Sequence, residues 1–367
     1  MIGQHKEYID IIREESFREE TVSFLRKGLG IESYAVPKAI PRLYKYRALS
    51  EYALEDILHN QFTATSIGEF NDVFDGAVQI YGDAKERAEL AQKNWEEMEE
   101  LGRKCGLPGL LPQNPFVKNM VDYYKRESRN KFHLADFVGT YVFCLSERDD
   151  STLMWAHYAA ENTGICIEYN YNQLQLNNLR RQCLFPVVYS SMPIDVSSLI
   201  GHDAKPKEQY PYDTAILCVA LNKSVEWEYE KEWRFVIILT SIHEKRLALQ
   251  SISPERIIWG NRFLKPLFYY SENNEREIKD CEEHYDRIHK LLDYMIQQNI
   301  KTAIMIPSIG SYKLEPKNID AVVLKEFIKS SFSQHKCNNA RFYYTIYDQL
   351  LDLLEDGQGK KARMCIT

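Results

Sequence analysis

Glu228, Glu230 and Glu232 alternate with Tyr229, Lys231 and Trp233 in the segment WEYEKEWRF. Read as a strand, the segment puts all three carboxylates on one face, where they repel one another unless an Arg or Lys from a neighbouring strand intervenes. Arg234 follows at once and can pair with an acid. An edge strand showing acids to water is the plain account of this pattern. The sharper one is a pocket in which a carboxylate polarises a sugar hydroxyl or stabilises a developing cation.

Three further segments carry polar groups in patterns that chemistry could use. RLYKYR puts Lys45 and Arg47 on one face of a strand and Tyr44 and Tyr46 on the other, which suits either a pocket anion or snorkelling surface cations. FNDVFDG places Asn71, Asp72 and Asp75 in a turn framed by Phe70 and Phe74. Such residues commonly cap backbone groups; a ribose or metal contact is the functional alternative. The carboxylates lack the spacing of a calcium loop, and no His–Cys cluster accompanies them. CLSERDDSTLMWAHYA ends an apolar strand at Ser146, passes an acidic turn, and gathers Trp155, His157 and Tyr158. No G-x-S-x-G elbow marks Ser146 as a nucleophile. The indole, imidazole and phenol suit stacking on a flat ring such as a base or nicotinamide.

The elements that must position these groups read as an α+β fold: a central mixed or antiparallel β-sheet core with a helical insertion and helical N- and C-terminal appendages. FVGTYVFCLS, GICIEYN, FPVVYS and EKEWRFVIIL are rich in β-branched and aromatic residues and are expected to form the sheet. SEYALEDILHN predicts a helix capped by Ser50 with Leu54, Ile57 and Leu58 inward. TLMWAHYAAENTG predicts a helical turn stopped by Gly164 in a left-handed conformation. YDRIHKLLDYMIQQNI has Ile288, Leu291, Leu292 and Met295 at helical spacing, and AIMIPSI returns to strand. The expected organisation is a helical preface over 1–40, a core over 41–320 with a charged helical insertion at 83–131, and C-terminal helices with a loose tail over 321–367.

Composition bounds what such a fold does. The 367 residues are 44% hydrophobic and 27% charged, ordinary globular values. The formal net charge is −7 and there is no long basic run, which disfavours nonspecific DNA binding. No apolar stretch approaches the roughly 20 residues of a membrane span, and MIGQHKEYIDIIREESFREE lacks the apolar core of a signal peptide. The eight cysteines contain no C-x-x-C pair. They read as reduced thiols of a cytoplasmic protein, with Cys144 and Cys166 buried in apolar strands.

The ordered set LYKYR, FND, CLS, LMWAHYA followed by GICIEY, and EKEWR resembles the bacterial domain-of-unknown-function family 2971 from about Leu43 to Ile319. A second resemblance is to the ADP-ribosyltransferase superfamily, whose sites use a basic residue on a first strand, a serine on a middle strand and a glutamate on a later one. That resemblance implies NAD as substrate and an acceptor that is a macromolecule, a small molecule or water. Arg47, with Lys45 beside it, would hold the diphosphate, and Ser146 would support the nicotinamide-binding strand. Glu232 would stabilise an oxocarbenium-like transition state, and Glu230 would orient the acceptor. Ser146 stands in CLS where that superfamily has an S-T-S triplet. Such an enzyme would suit a bacterial toxin or anti-phage effector. Two alternatives remain: a metal-dependent nuclease using Asp72, Asp75 and the glutamates, and a non-catalytic sensor whose aromatic pocket binds a nucleotide or dinucleotide. The transferase reading requires Lys45, Arg47, Ser146, His157 and Glu232 to converge on one cavity.

Overall fold

The computed structural model describes residues 41–72, 74–79, 132–133, 139–170, 184–195, 211–239, 245–250, 253–270, 274–334 and 340–355. The expected helical preface over 1–40, the insertion at 83–131, the final tail, and Cys105, Cys183, Cys337 and Cys365 lie outside the described residues.

In chain order the elements are β1 (Arg42–Arg47), α1 (Glu51–Leu58), β2 (Gln61–Ser66), β3 (Ala77–Gln79), β4 (Phe132–His133), β5 (Gly139–Ser146), α2 (Thr152–Tyr158) and β6 (Ile165–Asn170). Then come β7 (Leu184–Pro186), β8 (Val188–Ser190), β9 (Ile194–Asp195), α3 (Pro211–Leu221), β10 (Asn222–Ser224), β11 (Glu232–Leu239) and β12 (Arg246–Gln250). The chain closes with β13 (Arg256–Trp259), α4 (Lys265–Phe268), α5 (Glu275–Gln298), β14 (Lys301–Pro307), β15 (Leu314–Ile319), α6 (Ala321–Gln334) and α7 (Ala340–Glu355). This is an α+β fold, and its sheet is mixed: β13 runs parallel to β14 while β1, β6 and β13 pair antiparallel.

The chain divides into two compact units, the first built from residues 1–38, 63–144 and 175–248, the second from 39–62, 145–174 and 249–367. In the first unit β2 pairs antiparallel with β5, and β11 pairs with both β5 and β7. A parallel pair, β10 with β8, sits beside them. Helix α3 leads directly into β10, and its residues Ile216, Leu217, Cys218, Val219, Ala220 and Leu221 are all buried. Apolar on every side, it carries no 3.6-residue period, which is why periodicity does not announce it.

In the second unit the end of β5 pairs with β1, followed in order by β6, β13, β14 and β15. Cross-strand partners share a face. Tyr44 is opposite Ser146 and Glu168, Tyr46 opposite Cys166, and Glu168 opposite Arg256, so these residues line one face. Leu43, Lys45 and Arg47 line the other with Tyr169, Ile167 and Ile165. Helix α1 serves that second face: Ser50 Oγ caps it by accepting from the Ala53 N–H at 3.3 Å, and Ala53, Leu54 and Ile57 are buried. Helix α5, capped by Asn274, buries Ile288, Leu291, Leu292 and Met295, as their spacing requires.

Three expectations change. The segment 225–230 is a 3-10 helix, and Lys231 takes a left-handed conformation with φ 45°, so the strand starts only at Glu232. FPVVYS breaks into β7 and β8, because the Val187 N–H turns to the Glu232 carbonyl at 2.9 Å. Helix α2 is stopped not by Gly164 but by Ala160, Glu161 and Asn162, all left-handed, with φ of 46°, 55° and 70°. Gly164 is needed for another reason: a Cβ there would lie 2.3 Å from the Arg47 carbonyl oxygen and 2.9 Å from that of Ala159.

Candidate functional site

In the first unit, five charged side chains meet away from water. The Arg234 guanidinium is wholly buried; Nη1 and Nη2 donate to Asp75 at 2.6 and 2.7 Å, and Nε donates to Glu232 Oε1 at 3.0 Å. Its Nη1 also donates to the Ala220 carbonyl at 2.7 Å, and Phe70 lies over the guanidinium with 5.3 Å to the ring centroid. Lys223 on β10 donates to Glu230 Oε2 at 2.6 Å and to Glu232 Oε2 at 2.9 Å. The turn at 225–230 carries Glu230 back to the same ammonium as Glu232, and Trp227 covers that ammonium at 5.0 Å. Burial by itself would raise the Glu232 carboxyl; Arg234 and Lys223 outweigh it and hold the group well below the ordinary glutamate range. Lys223 is raised despite its burial, because the carboxylates of Glu232 and Glu230 face it. The compensating cations of Glu230 and Glu232 are therefore Lys223 and Arg234, while the exposed Glu228 pairs with Lys231 at 3.0 Å.

In the second unit, a polar cluster sits on the face of the sheet that carries Tyr44. Glu168, 3% exposed, accepts from Arg256 Nε at 2.8 Å, and Arg42 Nε lies 3.0 Å from its other oxygen. Arg256 Nη2 reaches the Asp149 carboxylate at 3.5 Å. Asp149 is raised above its ordinary value, first by burial, against the opposing pull of Arg256. Tyr44 stands among these groups, 8% exposed, its phenol pushed up to about 12 by burial and then by Asp149 and Glu168.

The residues singled out by sequence divide between these surroundings. Ser146 is fully buried on the Tyr44 face, and its Oγ accepts from the Arg148 N–H at 3.0 Å, closing the turn after β5. Trp155 is fully buried on the same face, its Nε1 donating to the Asp149 carbonyl at 2.7 Å and its ring meeting Tyr46 edge-on at 5.2 Å. That leaves its indole packed in the core. His157 is exposed and Tyr158 half-buried, their rings 6.3 Å apart. Lys45 and Arg47 point to the opposite face of this sheet from Ser146, and Arg47 pairs with Asp56 of α1 at 2.5 Å. A strand alternates sides at every residue, so the YKYR cations and the serine do not share a face. Glu230 and Glu232 belong to the first unit.

Asp75 is taken by Arg234, and Asp72 Oδ1 accepts from the Phe74 N–H at 2.9 Å, a turn-forming bond. Among the described residues no group of three or more His, Cys, Asp or Glu is placed to hold a metal ion. Cys144, Cys166, Cys218 and Cys281 are free thiols; Cys166 is buried, whereas Cys144 is only half-buried and hydrogen-bonds the Glu232 carboxylate. Sequence reasoning missed Lys223, Glu168, Arg256 and Asp149. The first two left a signal: each is a lone charge set in or just after an apolar run, CVALNKS and GICIEYN.

Residues 154–235 match a family model described as Protein of unknown function (DUF2971). The match covers less than a quarter of the chain and includes MWAHYA, GICIEY and EKEWR; LYKYR and FND fall outside it. It takes in Trp155 and Glu168 of the second unit and Lys223, Glu230, Glu232 and Arg234 of the first. No curated protein and no solved structure matches the chain. Among the described residues no helix is long and apolar enough to cross a membrane.

Proposed function

We propose that this chain binds a nucleotide or dinucleotide without turning it over, and that the charge network around Arg234 braces its first unit. The observation that supports binding over catalysis is the state of Glu232. Lys223 and Arg234 hold both of its carboxylate oxygens, and the side chain is 5% exposed. A reacting carboxylate has to reach its substrate, and here the opposing cations already satisfy it. Of the Trp155, His157 and Tyr158 group, the His157 ring is exposed and the Tyr158 ring half-buried, which supports stacking on a flat ring there.

A second reading, transfer of ADP-ribose from NAD to a macromolecular acceptor or to water, is favoured by one feature. Glu230 and Glu232 converge on one ammonium, and Glu232 is held ionised, as a carboxylate facing an oxocarbenium-like centre must be. In that reading the substrate ribose takes the place of Lys223 on the carboxylate.

Incubation of the full chain with NAD labelled in the nicotinamide ring, alone and with cell lysate, separates the two. Binding without nicotinamide release supports the first reading. Release that Glu232→Gln reduces by roughly 10²-fold or more, in a variant that still folds, replaces it with the second.

A further inference from the structure

In the second unit the Tyr347 hydroxyl is buried with no hydrogen-bond partner among the described residues, and its side chain is 8% exposed. Asn261 Oδ1, in the turn that follows β13, is buried and unpartnered in the same way. A buried polar atom left unbonded costs free energy, and such atoms persist where water or a ligand supplies the bond. Helix α7, which carries Tyr347, packs on β15 and on α4, the helix that the Asn261 turn leads into. Open sheets bind ligands beyond the carboxyl ends of their parallel strands, and Asn261 stands just past that end of β13, the strand parallel to β14.

The charges at this place choose the class of ligand. Arg262 follows Asn261; its backbone N–H donates to the Asn162 carbonyl at 3.0 Å, and its side chain is exposed. The guanidinium acts on two buried phenols of α7, whose rings lie 6.1 Å apart. Burial pushes Tyr347 up to about 12, and burial and then Tyr347 raise Tyr343; Arg262 opposes the rise in both. Among the described residues neither Arg262 nor Lys265 has an acidic partner, while Asp348 adds one negative charge beside Tyr347. Surplus positive charge of this kind selects an anion. Arg262 and the Tyr347 hydroxyl can donate, which suits phosphoryl oxygens. Asn261 Oδ1 accepts, and a hydroxyl next to the phosphoryl group supplies the proton it needs. A sugar phosphate presents both.

We infer that Arg262, Tyr347 and Asn261 form a binding site for the phosphoryl group and a neighbouring hydroxyl of a sugar phosphate, as found in a nucleotide. The choice of a nucleotide rests on the nucleotide-binding reading, and its phosphate contact is thereby assigned to the second unit. Arg262 and Tyr347 donate to the phosphoryl oxygens, Asn261 accepts from the hydroxyl, and Lys265 adds positive charge.

The test is titration calorimetry of the full chain with AMP, adenosine, ribose 5-phosphate and inorganic phosphate, repeated on Arg262→Gln and Tyr347→Phe. The expected result is that AMP and ribose 5-phosphate bind, that adenosine binds about tenfold or more weakly than AMP, and that each variant weakens AMP binding by a similar factor. Both variants should melt near the unaltered chain, since Arg262 is exposed and Tyr347→Phe deletes only an unbonded hydroxyl; if Tyr347→Phe does not fold, Arg262→Gln decides. Equal affinity for adenosine and AMP, or AMP binding unchanged in the variants, overturns this site and leaves nucleotide binding standing elsewhere. Binding of ribose 5-phosphate that the variants weaken, without binding of AMP or adenosine, keeps the site and removes the nucleotide reading. Inorganic phosphate bound as tightly as ribose 5-phosphate overturns the hydroxyl contact assigned to Asn261. No binding of any of these compounds removes both this inference and the reading beneath it.

Discussion

Arg234 grips Asp75 through two parallel hydrogen bonds of 2.6 and 2.7 Å, joining positions 159 residues apart in the chain. Neither side chain is more than 2% exposed, so both charges have left water and depend on each other. Through Glu232 and Lys223 the same network continues to Glu230, tying the FNDVFDG turn to β11 and to the 3-10 turn before it.

Breaking this pair from one side should be severe. Arg234→Met leaves Asp75 and Glu232 buried without their guanidinium, and a loss of about 3–5 kcal/mol in unfolding free energy is expected. The paired change Arg234→Met with Asp75→Asn should lose less than the sum of the two single changes. Urea unfolding of the three variants measures this coupling, and strict additivity would mean that the pair does not act as a unit.

Glu232→Gln removes a charge and keeps the shape. Because Arg234 and Lys223 hold this carboxyl below its ordinary value of 4.5, its ionised form stabilises the fold. A depressed folded-state value contributes stability that is present above about 4.5 and lost as the pH falls through the lower, folded value. At neutral pH the variant should therefore melt earlier than the unaltered chain, and the difference should shrink on acidification below 4.5. A pH-independent melting difference, or none, would show that Glu232 is not part of the brace.

His284 sets a second, separate window. Burial lowers it from 6.5 to about 4, and its Nε2 lies 3.1 Å from the Phe263 carbonyl, a bond the neutral ring can donate. As the pH falls from 6.5 the unfolded chain takes a proton that the folded chain refuses, so stability declines until the pH reaches about 4. At roughly 1.4 kcal/mol per pH unit, the decline is about 3 kcal/mol. His284→Gln, compared with the unaltered chain by denaturant unfolding at pH 7 and pH 4.5, should flatten this slope while lowering stability at pH 7.

The chain beyond α2 makes two close approaches of backbone to backbone. A Cβ at Gly164 would lie 2.3 Å from the Arg47 carbonyl oxygen, and one at Gly260 2.2 Å from that of Asn162. Gly164→Ala and Gly260→Ala should each destabilise the second unit by about 1–3 kcal/mol or more, since backbone must move to make room. By contrast Gly310, which has a φ of 78° and open space around its Cβ position, should accept Asn with little change. Thermal melts of the three variants test that ordering.

The sequence by itself determined what is local. Alternation in RLYKYR set which side chains share a face, Ser50 marked the start of α1, and Ile288, Leu291, Leu292 and Met295 marked the buried stripe of α5. Each follows from a fixed period or from a cap only a few residues away. Tertiary structure alone decided which charges meet. Lys223 ends a run with no period, and Asp75 reaches Arg234 only because distant segments pack together. The tertiary fold also turned Lys231 left-handed, bringing Glu230 and Glu232 to one ammonium where a straight strand would have set them side by side. The strand face that separates Arg47 from Ser146 was legible in β1, but not the pairing of Tyr44 with Ser146 that makes the separation matter. Pairing register depends on strands far apart in the chain, and no local spacing encodes it.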